Sequence, residues 1–151
     1  MAHVNDVPPA LLLPRLATEL RSRAAIRPPE WAAFAKTGVH KQRAPTQSDW
    51  WYLRSASVLR RISLRGLVGV TRLSAEYGGK RDRGSAPYHA RAGSRAVLRE
   101  IIQQLEKSGL VQAYKNRGRR VSADGQRLLD TVSRDLLREL STSRPELAKY
   151  L

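Results

Sequence analysis

Arg54, Arg61 and Arg65 are spaced seven and four apart in a segment with helical periodicity. That spacing puts three guanidiniums in one stripe along a helix. Arg60 flanks the stripe, and Trp50, Leu53 and Leu64 are interleaved with it. A guanidinium holds a phosphate through two parallel N–H bonds, and an indole beside it stacks on a base or ribose. Three like charges in line are hard to explain without an anion. For this helix alone, a solvated face with Trp50 in the core is an equally good reading. Two further clusters tell against it: Lys80, Arg81, Arg83 and Arg91 within 78–93, and Lys115, Arg117, Arg119 and Arg120 within 115–120. Three Arg-rich elements predict a wide polyanion site.

The inventory for catalysis is poor. His3, His40 and His89 lie in separate loops or at the terminus, and Asp49, Glu76 and Asp82 are the only carboxylates in 40–99. No serine sits in a nucleophile-elbow pattern, and Gly78-Gly79-Lys80 is too short for a nucleotide cradle. We expect no enzyme, no catalytic residue, no metal, no cofactor and no small-molecule substrate. There is no Cys, which excludes disulfides, thiolate metal sites and a Cys nucleophile.

Charge over the whole chain agrees with the clusters. The 151 residues carry 28 Lys+Arg against 13 Asp+Glu, net +15, with a pI near 11.3. Arg supplies 22 of those cations, the residue suited to bidentate phosphate contact. Residues 40–99 hold thirteen basic and three acidic side chains, net +10, whereas 121–151 hold five of each. The excess is concentrated in the middle. The longest apolar run, Ala10 to Leu13, is far short of the ~18 residues of a membrane span, and no leader pattern opens the chain. We expect no membrane association.

The elements that must position these residues are mostly helical. Helices are expected over Ala10–Ala25, from Glu30 to Lys36, from a Ser48-Asp49 cap to Leu64 or Arg65, over Val70–Tyr77, and from a Ser94 cap to Glu106. Residues 39–47 read as a polar loop. Residues 78–93 read as a basic, glycine-bearing loop, disordered without a ligand because it has little to bury. Residues 110–114 and 119–121 read as strands around an Asn116-Arg117-Gly118 turn, followed by a helix over 124–140. On helix 49–65, Trp51, Tyr52, Ser55, Ala56, Val58, Leu59, Ile62 and Ser63 form the expected core face. The fold class is mainly α: a winged helix-turn-helix-like bundle with a small β-hairpin wing. One domain is expected over 1–151, with N-terminal helices 9–36, a winged-helix core 48–140, and a tail 141–151 docked by Leu147, Tyr150 and Leu151.

The chain resembles the archaeal and eukaryotic small-subunit ribosomal protein family S19e from about Val4 to Leu140. Val4-Asn5-Asp6-Val7 and Pro29-Glu30-Trp31 resemble the family's opening. Asp49-Trp50-Trp51-Tyr52-Leu53-Arg54-Ser55-Ala56-Ser57 is similar to its Trp-aromatic-Tyr-x-Arg-x-Ala-Ser signature. Leu64-Arg65-Gly66, Gly69-Val70, Tyr77-Gly78-Gly79, Gly93-Ser94, Gly118-Arg119 and Gly125-Gln126 follow in the family's order. Gly66-Leu67-Val68 replaces a more glycine-rich stretch, and the tail does not align. The resemblance implies a structural constituent of the small ribosomal subunit: bound to ribosomal RNA in the subunit head, beside other ribosomal proteins, needed for subunit maturation, and located on cytoplasmic ribosomes. It also implies RNA contact by Trp50, Arg54, Arg60 and Arg65, with Arg99 a matching basic position. The full expected RNA-binding set is Trp50, Arg54, Arg60, Arg61, Arg65, Lys80, Arg81, Arg83, Arg91, Arg99, Arg117 and Arg119.

The alternative is a winged-helix DNA-binding transcription regulator. Its recognition helix, 94–107, should then concentrate cations. That segment carries Arg95, Arg99 and Lys107 against Glu100 and Glu106.

Overall fold

The computed structural model describes residues 3–150. Pro9 begins α1 (Pro9–Arg21), where a missing N–H costs nothing because the first helical donors have no intrahelical acceptor. Leu12, Leu16, Ala17 and Leu20 form its buried stripe. α1 ends at Arg21, not at the expected Ala25. The chain turns back through Arg23 N–H to Leu20 O and Ile26 N–H to Arg23 O, and Ile26 is buried. The expected helix to Lys36 is only a 3-10 turn, Glu30–Ala33, with Ala32 its one buried residue. One alanine cannot hold a longer helix against the core.

α2 (Trp50–Arg65) has the expected limits. Asp49 precedes it, but the Asp49 carboxylate makes no capping bond; its carbonyl accepts from Tyr52 and Leu53 N–H. Gly66 ends the helix at φ +76°, a conformation glycine adopts without strain. Trp51, Ser55, Ala56, Val58, Leu59 and Ile62 are buried as expected, and Tyr52 and Ser63 are half-buried.

After α3 (Val70–Glu76) the structure departs from the sequence reading. Residues 78–93 are not a disordered loop. β1 (Gly79–Arg83) pairs antiparallel with β2 (Ala86–Arg91), with Gly79 opposite Arg91 and Arg81 opposite His89. Both strands are almost wholly exposed. The hairpin is held by its own ladder and by its base, not by burial. At the base Gly38 bridges to Gly93, Gly93 N–H donates to Ser74 O at 2.7 Å, and Ser94 N–H donates to Thr37 O at 2.9 Å.

α4 (Arg95–Lys107) starts where Ser94 Oγ accepts the Val97 N–H, and it buries Val97, Leu98, Ile101, Ile102 and Leu105. The wing follows: β3 (Val111–Ala113) pairs with β4 (Arg119–Val121). Val68 extends this sheet, exchanging two backbone bonds of 3.1 and 2.9 Å with Arg119. Ser122 caps α5 (Ala123–Ser143) through Gly125 N–H. A 3-10 turn, Pro145–Tyr150, ends the described chain. Leu147 is half-buried there, while Leu151 and the Tyr150 side chain lie outside the described residues. α2 occupies the middle of the bundle, against α1, α4, α5 and β4. The fold is the expected mainly α winged helix-turn-helix, with a second hairpin between α3 and α4.

Candidate nucleic-acid interface

The arginine stripe of α2 lies against the end of α3. Arg54 is half-buried, its guanidinium 4.4 Å from the centre of the Tyr77 ring. Tyr77 OH is in turn 2.6 Å from Ser57 Oγ. Burial pulls the Arg54 pKa down, opposed by Tyr77, and burial pushes the Tyr77 phenol up. Arg54 stays a cation, since a guanidinium keeps its proton in proteins. It is thus a fixed charge on an aromatic face.

Arg61 and Arg65 share one carboxylate. Arg65 Nε is 2.9 Å from Glu76 Oε1, and Arg61 Nη1 is 3.6 Å from Glu76 Oε2. The repulsion that called for an external anion is therefore partly answered inside the molecule. One carboxylate between two guanidiniums still leaves a net positive charge. Arg60 is half-buried with its Nε buried and unpartnered; burial lowers its pKa, and Arg61 lowers it further. Trp50 meets Trp51 edge-on at 5.3 Å and packs on the core, so it is part core residue and part surface.

Lys80, Arg81, Arg83 and Arg91 are exposed on the β1–β2 hairpin, Arg117 on the wing turn and Arg99 on α4. None of the six has an ion-pair partner among the described residues. Arg83 and Arg91 donate only to the nearby carbonyls of Pro87 and Ala90. Arg119 is different: its Nε is 2.7 Å from Glu106 Oε1. Arg120 lies over the Tyr114 ring at 4.8 Å.

Chain connections bring these groups together. The hairpin leaves α3 at Gly78, immediately after the ring on which Arg54 rests. The wing joins the other end of α2 through the Val68–Arg119 bridge, just beyond Arg65. Arg99 stands exposed on α4, whose first turn meets Arg54 and Tyr77 through Val97 and Leu98.

The polar loop before α2 contributes residues that the sequence reading left out. Lys41 and Arg43 line a cavity of about 450 Å³ with Trp50 and Arg54. Lys41 also lines a second cavity, of about 410 Å³, with Lys80, Arg81 and Tyr88. Two cations just ahead of Trp50 were the available signal, but loop residues have no periodicity to place them. The His40 ring sits at the hairpin base. A Cβ on Gly38 would lie 2.7 Å from its Nδ1, and one on Gly79 would lie 2.9 Å from its Cδ2. Burial lowers the His40 pKa, and Lys41 and Arg54 lower it further. Among the described residues, no group of three or more His, Asp or Glu side chains could hold a metal ion, and no helix is long and apolar enough to cross a membrane.

Comparison with known proteins bears on this surface. The family model described as Ribosomal protein S19e matches residues 3–139. The chain is 46% identical over 153 residues to the small ribosomal subunit protein eS19 of Aeropyrum pernix, with all of both chains covered. It is 43% identical over 155 residues to the eS19 of Haloarcula marismortui, covering 99% of each. It is 43% identical over 138 residues to eS19A of Schizosaccharomyces pombe, covering 91% of this chain and 96% of that one. With relatives matched end to end and its arginine helix and wing inside the matched span, the chain belongs to the ribosomal protein S19e family, one of structural proteins and not of enzymes.

Proposed function

We propose that this chain is a structural constituent of the small ribosomal subunit and binds its ribosomal RNA. The observation that carries the reading is the β1–β2 hairpin. It buries almost nothing, yet presents Lys80, Arg81, Arg83 and Arg91 against a single carboxylate, Asp82, which pairs with none of them and accepts the Gly84 N–H instead. A surface of that kind gains most from neutralising phosphates. Arg54, Arg60, Arg61, Arg65, Arg117 and Arg119 extend it along α2 to the wing, and Trp50 offers a ring. Contacts of this sort hold folded RNA by charge and shape and do not read a duplex sequence. The relatives are named small ribosomal subunit proteins. By the same likeness the chain sits in the subunit head beside other ribosomal proteins, acts in subunit maturation, and is found on cytoplasmic ribosomes.

The test is sedimentation. Source-cell lysate is run on a sucrose gradient, and the chain is expected to follow the small subunit through a high-salt wash. The double variant Arg81→Glu/Arg83→Glu alters exposed residues only and is expected to stay at the top of the gradient. Depletion of the chain is expected to accumulate precursors of small-subunit RNA. Wild-type protein at the top of the gradient would refute the reading.

α4 gives the transcription-regulator reading no support. Its Glu106 is held by Arg119, and its surface charge is close to balanced.

A further inference from the structure

We infer that the two cavities beside α2 form one trough, joined at Lys41, that takes a single RNA strand in preference to a duplex. This rests on the RNA-binding reading above and names the form of RNA that this part of the surface receives. Lys41 lines both cavities. The first has Trp50 on its wall with Arg43 and Arg54; the second has Tyr88 with Lys36, Lys80 and Arg81. An aromatic ring therefore stands in each compartment, and cations line the path between them. Each volume is in the range of a small-molecule site.

That arrangement suits an unpaired strand. Unstacked bases lie on aromatic faces while the backbone follows the cations. In a duplex the base faces are covered by their neighbours, so the rings have nothing to stack on. The two rings are suited to this in different ways. Trp50 is anchored against Trp51, and Tyr88 is 59% exposed. Arg54 is held on Tyr77, so little freedom is lost when a phosphate arrives. The one acid of the second compartment, Asp82, is turned to its own hairpin, where Oδ1 accepts the Gly84 N–H at 2.8 Å.

Fluorescence anisotropy on the full chain decides the matter. The probes are a labelled single-stranded RNA of about twelve nucleotides and the blunt duplex of equal length, at one salt concentration. The strand is expected to bind about tenfold tighter than the duplex. Tyr88→Ala is expected to weaken the strand about tenfold and leave the duplex unchanged, as loss of one stacked base predicts. Lys41→Glu should weaken the strand more than Arg134→Glu, an equal charge change at an exposed position on α5. Tyr88, Lys41 and Arg134 are all exposed, so circular dichroism should show each variant folded. Duplex bound as tightly as strand, or Tyr88→Ala without effect on the strand, overturns the inference. Binding to neither probe also overturns it. Sedimentation then separates the two failures: a chain that still follows the small subunit loses the trough but keeps the ribosomal reading.

Discussion

Arg65 Nε lies 2.9 Å from Glu76 Oε1, in an ion pair whose acidic member is only 15% exposed. The contact joins the last turn of α2 to the end of α3, and Arg61 approaches the same carboxylate from one turn earlier. It does two opposing things: it ties α3 in place, and it removes one charge from a surface that is otherwise positive.

Glu76→Gln separates those effects. We expect a loss of about 1 kcal/mol in urea unfolding, since both guanidiniums are substantially exposed. RNA affinity should rise a few-fold, with a steeper dependence on salt, because one positive charge is released for phosphate. Weaker RNA binding by a folded Glu76→Gln protein would mean that Arg61 and Arg65 serve only the fold.

Gln104 is the buried polar joint of the bundle. Its Oε1 accepts from Trp51 Nε1 at 3.0 Å and from Arg27 N–H at 3.2 Å, and its Nε2 donates to Arg27 O at 2.7 Å. Gln104→Leu leaves those groups unpaired, at a cost of about 2–3 kcal/mol. The melting temperature should fall by about 5–10 °C. Gln104 links the segment after α1 to both α2 and α4, so wild type and variant should each unfold in one transition. Two transitions in calorimetry would mean that the N-terminal segment folds apart from the winged helix.

His40 predicts a pH dependence. Its pKa is lowered from 6.5 by burial, then by Lys41 and Arg54. The unfolded chain therefore takes up a proton at a higher pH than the folded one. The stability tied to neutral His40 is complete above pH 6.5 and is lost as pH falls from there through the folded pKa. Wild type should lose stability relative to His40→Gln on going from neutral to mildly acidic buffer. NMR titration should place His40 below 6.5. A value above that would contradict its lodging between Gly38 and Gly79.

Gly78 sets where the hairpin leaves the body. A Cβ there would collide with the Arg91 carbonyl and crowd the Ala75 carbonyl at 3.2 Å. Gly78→Ala must shift backbone, so amide exchange across β1 and β2 should speed up while α2 and α4 stay protected. Unchanged exchange in the hairpin would show that its base adapts without penalty.

These relationships differ in how far apart their partners lie in the chain, and that separates what could be read from what could not. The buried face of α2 follows from apolar spacing. Gly66, Ser94 and Ser122 end or begin helices through bonds to residues within four positions. The wing declares itself through alternating residues and a turn, and the net charge of +15 alone points to a polyanion. Such features depend on local geometry and composition, so the sequence by itself determined them.

Tertiary structure decided the rest. Residues 78–93 offered no apolar pattern, because the hairpin is held by its ladder and by backbone bonds at its base, donated by Gly93 and Ser94 to the carbonyls of Ser74 and Thr37. Glu76 reaches Arg65 across a loop, and Gln104 meets Arg27, 77 positions earlier in the chain. Lys41 acquires its place between two cavities only when the 37–47 loop lies between α2 and the hairpin. Each of these depends on which surfaces pack together, and periodicity along the chain carries no record of a partner that packing alone brings near.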